Sequence, residues 1–270
     1  MRKLYIIQLL VLLVCIGCEW RWASTEDGAA DGSSVQVERY DRVETMYLMT
    51  GDFSALQQMN TGYPQQTRTL IEDVLRLGRV NDPEINQKFL AYFQDSTLQC
   101  LLADVNEEFL QMDDINEDLS EAFMRLKRVI PGIELPTVYA QVGSLDQSIV
   151  VAGKLLGISL DKYLGADYPL YLRPNYGYTE KQRSVMTREF IVPDCMSFYL
   201  LSLYPMPANA ELSQLERDMH MGKIQWVVNS TLKKDLFQNL YVRMVARYMS
   251  SHPQMTVDQM LRNTDSRSLR

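Results

Sequence analysis

The chain has 270 residues, 46 % of them hydrophobic, and a net charge of −7 at neutral pH. That length and apolar content suffice for a real core, in one large domain or two small ones. The acidic balance, with no basic stripe anywhere, excludes nucleic acid as a partner. Fifteen tyrosines and fifteen methionines read as bulky packing rather than as binding devices.

At the N-terminus, Arg2 and Lys3 precede an apolar run over residues 4–14 that is interrupted only by Gln8. The run is shorter than the roughly 20 residues a membrane-spanning helix needs, so it reads as a secretory signal. Ile16-Gly17-Cys18 follows at once and resembles a bacterial lipobox, with Cys15 where leucine is usual. Cleavage before Cys18 makes residues 1–17 a lipoprotein signal peptide and Cys18 the lipidated residue that anchors the protein to a membrane. Glu19 does not assign that membrane as inner or outer. Residues 18–34, rich in Gly, Ala, Ser and acids, have the composition of a flexible tether, and Trp20 and Trp22 suit the lipid headgroup layer. Residues 35–270 then form a single domain.

Val35 and Val37 alternate with polar residues and form either a short strand or a docking segment leading into a helix. Asp52 or Ser54 caps a short helix through Met59, which Gly62-Tyr63-Pro64 breaks. A helix over 68–77 buries Leu70, Ile71, Val74 and Leu75 and stops at Gly78. Asp82-Pro83 is a helix start, with Ile85, Phe89, Tyr92 and Phe93 as its stripe. Ser96 opens the next helix, with Leu98, Leu101, Leu102 and Val105. Another begins near Asp113 and runs on Ile115, Leu119, Phe123, Leu126 and Ile130 to Pro131-Gly132. The acids between these stripes lack EF-hand spacing and read as a solvated face.

Residues 139–178 are the one long stretch that does not read as helix. Strand-like runs at 137–142, 148–152 and 157–164 are separated by glycine-containing turns, and tyrosines and aspartates crowd in behind them. After it, Thr179 and Gln182 make a capping box. Pro193 either kinks the helix that follows or begins a new one running to Leu203. Asn209 caps a long helix with the stripe Leu212, Leu215, Met219, Gly222 and Trp226, where Gly222 implies a neighbouring backbone crossing closely. Phe237, Leu240, Tyr241, Met244, Val245 and Tyr248 build the next helix, and Thr256 with Gln259 caps a final one. The fold class is therefore mainly α with a small β-sheet (α+β). Cys100 and Cys195 lie in apolar helical contexts, which favours buried free thiols over a disulfide.

Little catalytic chemistry is visible. The chain has no phosphate-binding glycine loop, no G-x-S-x-G elbow and no cysteine pair at zinc spacing. Two histidines, His220 and His252, are too few for a three-histidine metal site. A carboxylate pair drawn from Asp146, Asp161, Asp167, Glu189 and Asp194 could serve a glycosidase, but turn and cap roles account for each. Tyr163, Tyr168, Tyr171, Tyr176 and Tyr178 could form a glycan- or peptide-binding row, against the more ordinary role of cross-strand packing.

The run SIVVAGKLLGISLDKYLGADYPLY and the following IVPDCM resemble the gliding-motility lipoprotein family GldB of Bacteroidota. VERYD is similar to that family's early R-[FY]-D element, and MGKIQWVV and VRMVARYMSSHPQMTVDQMLRNTD to its later helices. Relatives continue past the N-T-D element. The family is similar in outline to zincin-type metallopeptidases, which implies a zincin-like helical domain with a short central strand and hairpin region. Residues 188–192, with Glu189, then occupy the place of the H-E-x-x-H helix without either histidine, and Met221 stands where a glutamate ligand is expected. A lone Glu189 cannot hold zinc.

These readings together imply a non-catalytic, exported, lipid-anchored envelope protein associated with gliding motility or secretion, acting through a protein partner, with no cofactor and no metal. Its candidate binding residues are Asp161, Tyr163, Asp167, Tyr168, Tyr171 and Glu189. The alternative is a divergent metallopeptidase or a carboxylate-based hydrolase of the envelope.

Overall fold

The structure, a computed structural model, describes residues 35–206 and 212–265. The expected signal peptide, tether, Cys18 and the Asn209 cap lie outside those residues. Among the described residues no helix is long and apolar enough to cross a membrane.

The chain enters through β1 (Val37–Glu38) and turns directly into α1 (Tyr40–Thr50), which Gly51 closes in a left-handed conformation. Helix α2 (Phe53–Gly62) is capped by the Asp52 carboxylate. Pro64 then starts α3 (Pro64–Arg68), whose missing amide costs nothing at a first helical position. The expected helix over 68–77 instead continues α3 as a π-helical turn, Thr69–Val74, with Leu75 donating to the Leu70 carbonyl five residues back. Leu70, Ile71 and Val74 are buried as their spacing requires.

Asp82 does not cap a helix at Pro83. Its carboxylate accepts from the Glu84 amide and the Lys88 ammonium, forming a turn that delays α4 to Ile85–Phe93. Helices α5 (Ser96–Glu108, capped by Asp95) and α6 (Asp113–Val129) follow the sequence pattern closely. Acids in the first turn of α6 and Lys127 and Arg128 in its last complement the helix dipole.

Three more strands follow: β2 (Thr137–Gln141), β3 (Ile149–Ala152) and β4 (Leu155–Ser159). The sheet order is β1-β2-β4-β3, with β1, β2 and β4 parallel and β3 antiparallel to β4. Gly153, at positive φ, makes the tight β3–β4 turn. The third predicted run is thus two residues early and five short, because residues 160–162 leave the strand as a 3₁₀ turn. Gly157, expected at the strand's start, lies in its middle. A Cβ there would meet Cζ and Oη of Tyr139 at 2.6 Å, so the glycine makes room for that ring.

The capping box at Thr179 is present, but it opens only the single turn α7 (Glu180–Arg183). Helix α8 (Ile191–Leu203) starts afresh, with Pro193 inside its first turn, where no intrahelical amide is needed. Helix α9 (Gln214–Leu232) begins later than the expected cap at Asn209, at a Ser213–Glu216 capping box, so Leu212 precedes it. Its Gly222 meets α10 (Leu240–Ser251) as expected: a Cβ would lie 2.5 Å from Cβ and 3.0 Å from the carbonyl carbon of Tyr241. Within α10, Val242 and Val245 are buried, whereas Leu240 is exposed. Helix α11 (Val257–Arg262) carries the Thr256–Gln259 capping box. Cys100 and Cys195 are free thiols. Cys195 is buried, but Cys100 is exposed, since it falls on the solvent side of α5 opposite Leu101, Leu102 and Val105.

Candidate functional site

Strand alternation divides the sheet into two unlike faces. Val138, Ala140, Leu156 and Ile158 make one face aliphatic. Tyr139 and Gln141 of β2 pair in register with Gly157 and Ser159 of β4 on the other. Helix α1 packs against β2 and brings Tyr40 and Glu44, one helical turn apart, to this polar face. The Tyr40 and Tyr139 rings meet edge to face at 6.1 Å. Glu44 accepts from the Val142 amide at 2.9 Å, and Gln141 donates to Ser159 Oγ at 3.2 Å.

Every side chain of this layer is buried. Burial pushes the Glu44 carboxyl well above its ordinary range, and the negative charges of Asp41 and Asp161 add to that. Among the described residues, Glu44 Oε1, Tyr139 Oη and Gln141 Oε1 have no hydrogen-bond partner. Glu44 is not among the residues that the sequence singles out. The available signal was a carboxylate between Tyr40 and Leu48, at i, i+4 and i+8 of a buried stripe.

Asp161 closes the layer. It leaves β4 in the 3₁₀ turn and accepts from the amides of Gly143 and Leu145. Those amides belong to a turn in which Ser144 and Leu145 both take positive φ, 55° and 63°. Consecutive left-handed non-glycine residues are strained, so the carboxylate holds a conformation that the chain alone disfavours. Lys162 and Tyr178 both donate to the Leu145 carbonyl, and Tyr171 donates to the carbonyl of Asp161. Burial raises the Asp161 carboxyl, while its two amide bonds pull the other way.

The remaining predicted residues do not converge with it on one cleft. Tyr163 is buried and donates to Asp194 at 2.8 Å. Burial pushes Asp194 up to about 6. Tyr171 is buried beside the half-buried Tyr168 and Tyr178, with ring centroids 5.1 and 5.8 Å away, so these tyrosines pack on one another rather than form an exposed row. Tyr168 Oη donates to Asp104 of α5 at 2.6 Å. Asp167 is fully in solvent, 3.9 Å from Arg183. Glu189 sits on a 3₁₀ turn (Arg188–Phe190) ahead of α8, not on the helix. It lines a hollow with Asp118, Glu121 and Arg125 of α6 and with Lys234, away from the strands and without Met221. Its neighbour Arg188 forms a two-pronged ion pair with Asp114 at 2.7 and 2.8 Å and donates to the Gln111 carbonyl.

The coupled acids Glu44 and Asp161 are sealed, so no substrate atom reaches them in this conformation, and their bonds go to backbone amides. Among the described residues no group of three or more His, Cys, Asp or Glu side chains is placed to hold a metal ion. The arrangement stabilises a loop and a helix–sheet junction.

A protein-family model described as gliding motility protein GldB matches residues 23–237. No curated protein and no solved structure matches. The match spans most of the chain, including β1, α1 and the whole polar layer, and on that ground the chain belongs to the GldB gliding-motility protein family.

Proposed function

We propose that this protein is a non-catalytic, lipid-anchored protein of the cell envelope that supports gliding motility, or the secretion associated with it, by binding a protein partner. The family match over residues 23–237 carries the reading. Two further points support it: the acids nearest the sheet are sealed and committed to backbone amides, and Cys18 ends a lipobox-like signal. Of the six residues proposed as a binding set, Asp167, Tyr168 and Glu189 reach the surface and are the partner contacts. Asp161, Tyr163 and Tyr171 are internal and serve by holding the segment that presents Asp167 and Tyr168.

The test is complementation of a deletion strain. Wild-type protein restores motility or envelope secretion, Cys18→Ala leaves the protein unanchored and does not, and an Asp167→Lys/Glu189→Lys variant folds but loses a cross-linked envelope partner. Unchanged motility and secretion in the deletion strain would sink the proposal. Stoichiometric zinc retained through chelator-free purification would favour the divergent metallopeptidase instead.

A further inference from the structure

A pocket of about 300 Å³ opens between the end of α8, one side of α9 and the end of α11. Leu203, Met206, Leu212 and Leu261 supply its apolar walls, and His220 and Lys223 project from α9. Lys223 is 4 % exposed. Among the described residues its ammonium has one hydrogen-bond partner, the Asn263 carbonyl, and no carboxylate within ion-pair distance. Glu216, which lines the pocket, and Asp258 are both engaged. Glu216 accepts from the Ser213 amide and hydroxyl at the start of α9, and Asp258 is held by Arg262 and by Tyr204 Oη. The His220 ring is hydrogen-bonded to the Tyr204 backbone, and among the described residues its buried Nε2 has no partner.

A buried ammonium without a counter-charge is strongly unfavourable, and such groups are retained where something anionic completes them. Burial holds both Lys223 and His220 below their ordinary pKa, and the charge of Lys223 lowers His220 further. The walls decide the rest of the ligand. A free inorganic anion gains nothing from four aliphatic side chains, two of which, Leu203 and Met206, stand partly exposed. The volume is at the small end of ligand pockets, which limits the occupant to a short chain.

The geometry points to a binding site for a carboxylate that carries a short apolar chain, with Lys223 as its counter-ion. Two sources supply that chemistry: a free medium-chain acid, and the terminal carboxylate of a peptide that ends in an aliphatic residue.

Titration calorimetry on the full chain, with octanoate, 1-octanol and N-acetyl-Gly-Leu as probes, tests it. Octanoate or the dipeptide binds one to one, and whichever is tighter identifies the source. Octanol, which has the chain without the charge, binds at least tenfold more weakly than octanoate, about the loss expected for one charge-assisted hydrogen bond. Lys223→Met, checked for folding by circular dichroism, loses the same factor for the charged probes and leaves octanol unchanged. If octanol equals octanoate, if Lys223→Met binds both charged probes normally, or if neither charged probe binds, the assignment is wrong. The probe comparison on the wild-type chain stands even where the variant does not fold. None of these outcomes bears on motility, so this site and the proposed function fail separately.

Discussion

Asp161 joins the sheet to the tyrosine-rich segment, and replacing it tests whether the layer is structural. In Asp161→Ala the amides of Gly143 and Leu145 lose a buried acceptor. A hydrogen bond to a charged acceptor contributes about 1.5–3 kcal/mol, and an unsatisfied buried amide costs about 1–3 kcal/mol. Against this stands the relief of no longer burying a carboxyl whose pKa burial raises, so the net loss is about 3–4 kcal/mol. In a domain of this size that lowers Tm by roughly 10 °C. Asp161→Asn keeps one acceptor but turns an NH2 group toward an N–H, and should lose about half as much. Thermal and urea unfolding give the totals, and hydrogen exchange at the Leu145 amide gives the local effect. That amide should exchange far faster in the alanine variant while amides of α6 change only with global stability. A total loss under about 1 kcal/mol, or Leu145 protection equal to wild type, would refute the clamp.

Glu44→Gln should flatten the dependence of stability on pH. The carboxyl titrates near 4.3 in the unfolded chain and well above that when folded, so the folded state holds a proton that the unfolded state releases, and stability falls as pH rises through that window. Asp194, at about 6, adds a slope of the same sign. Urea midpoints at pH 5 and 8 should lie closer together in the variant, and an unchanged gap counts against the buried acid. Gly222→Ala drives a methyl group into the backbone of α10 and should cost about 2–3 kcal/mol by chemical denaturation; no loss would mean that α9 and α10 can part freely. Arg188→Lys forfeits the two-pronged contact with Asp114, and because the pair is partly exposed the loss should be about 1 kcal/mol, reduced further in high salt. A salt-independent loss would shift the credit to the Gln111 carbonyl bond.

Features written in local chemistry were legible in the sequence. Capping boxes at Thr179 and Thr256 involve residues three apart, and Gly222 on an otherwise bulky stripe announces a close neighbour. What depends on a distant partner was not. Asp82 reads as a helix cap because Pro83 follows it, yet Lys88 and the Glu84 amide claim its oxygens first. The end of β4 is set by amides sixteen and eighteen residues back that Asp161 turns to meet. Glu44 looks like any surface acid on a helix until the polar face of the sheet is laid over it. Cys100 sits in an apolar stretch, but the turn of α5 carries it to solvent. The tyrosines after the strands pack on one another, as the sequence favoured, and their hydroxyls go to Asp194, Asp104 and backbone carbonyls.

The two-residue strand β1 has a mechanical meaning. Val35 is bonded through its carbonyl to Ser120, Val37 through its amide to Asn116, and the strand pairs with Val138 and Tyr139 at the sheet edge. Tension along the chain ahead of Val35 therefore enters the fold at a point tied to helix α6 and to the sheet together. Those ties fall within four residues of one another, so the entry of the chain is held by α6 and the sheet together. Behind them, α1 is pinned through Glu44 to the amide that ends β2. The entry point therefore joins the leading chain to the helix layer and the sheet at one place, ahead of the first helix.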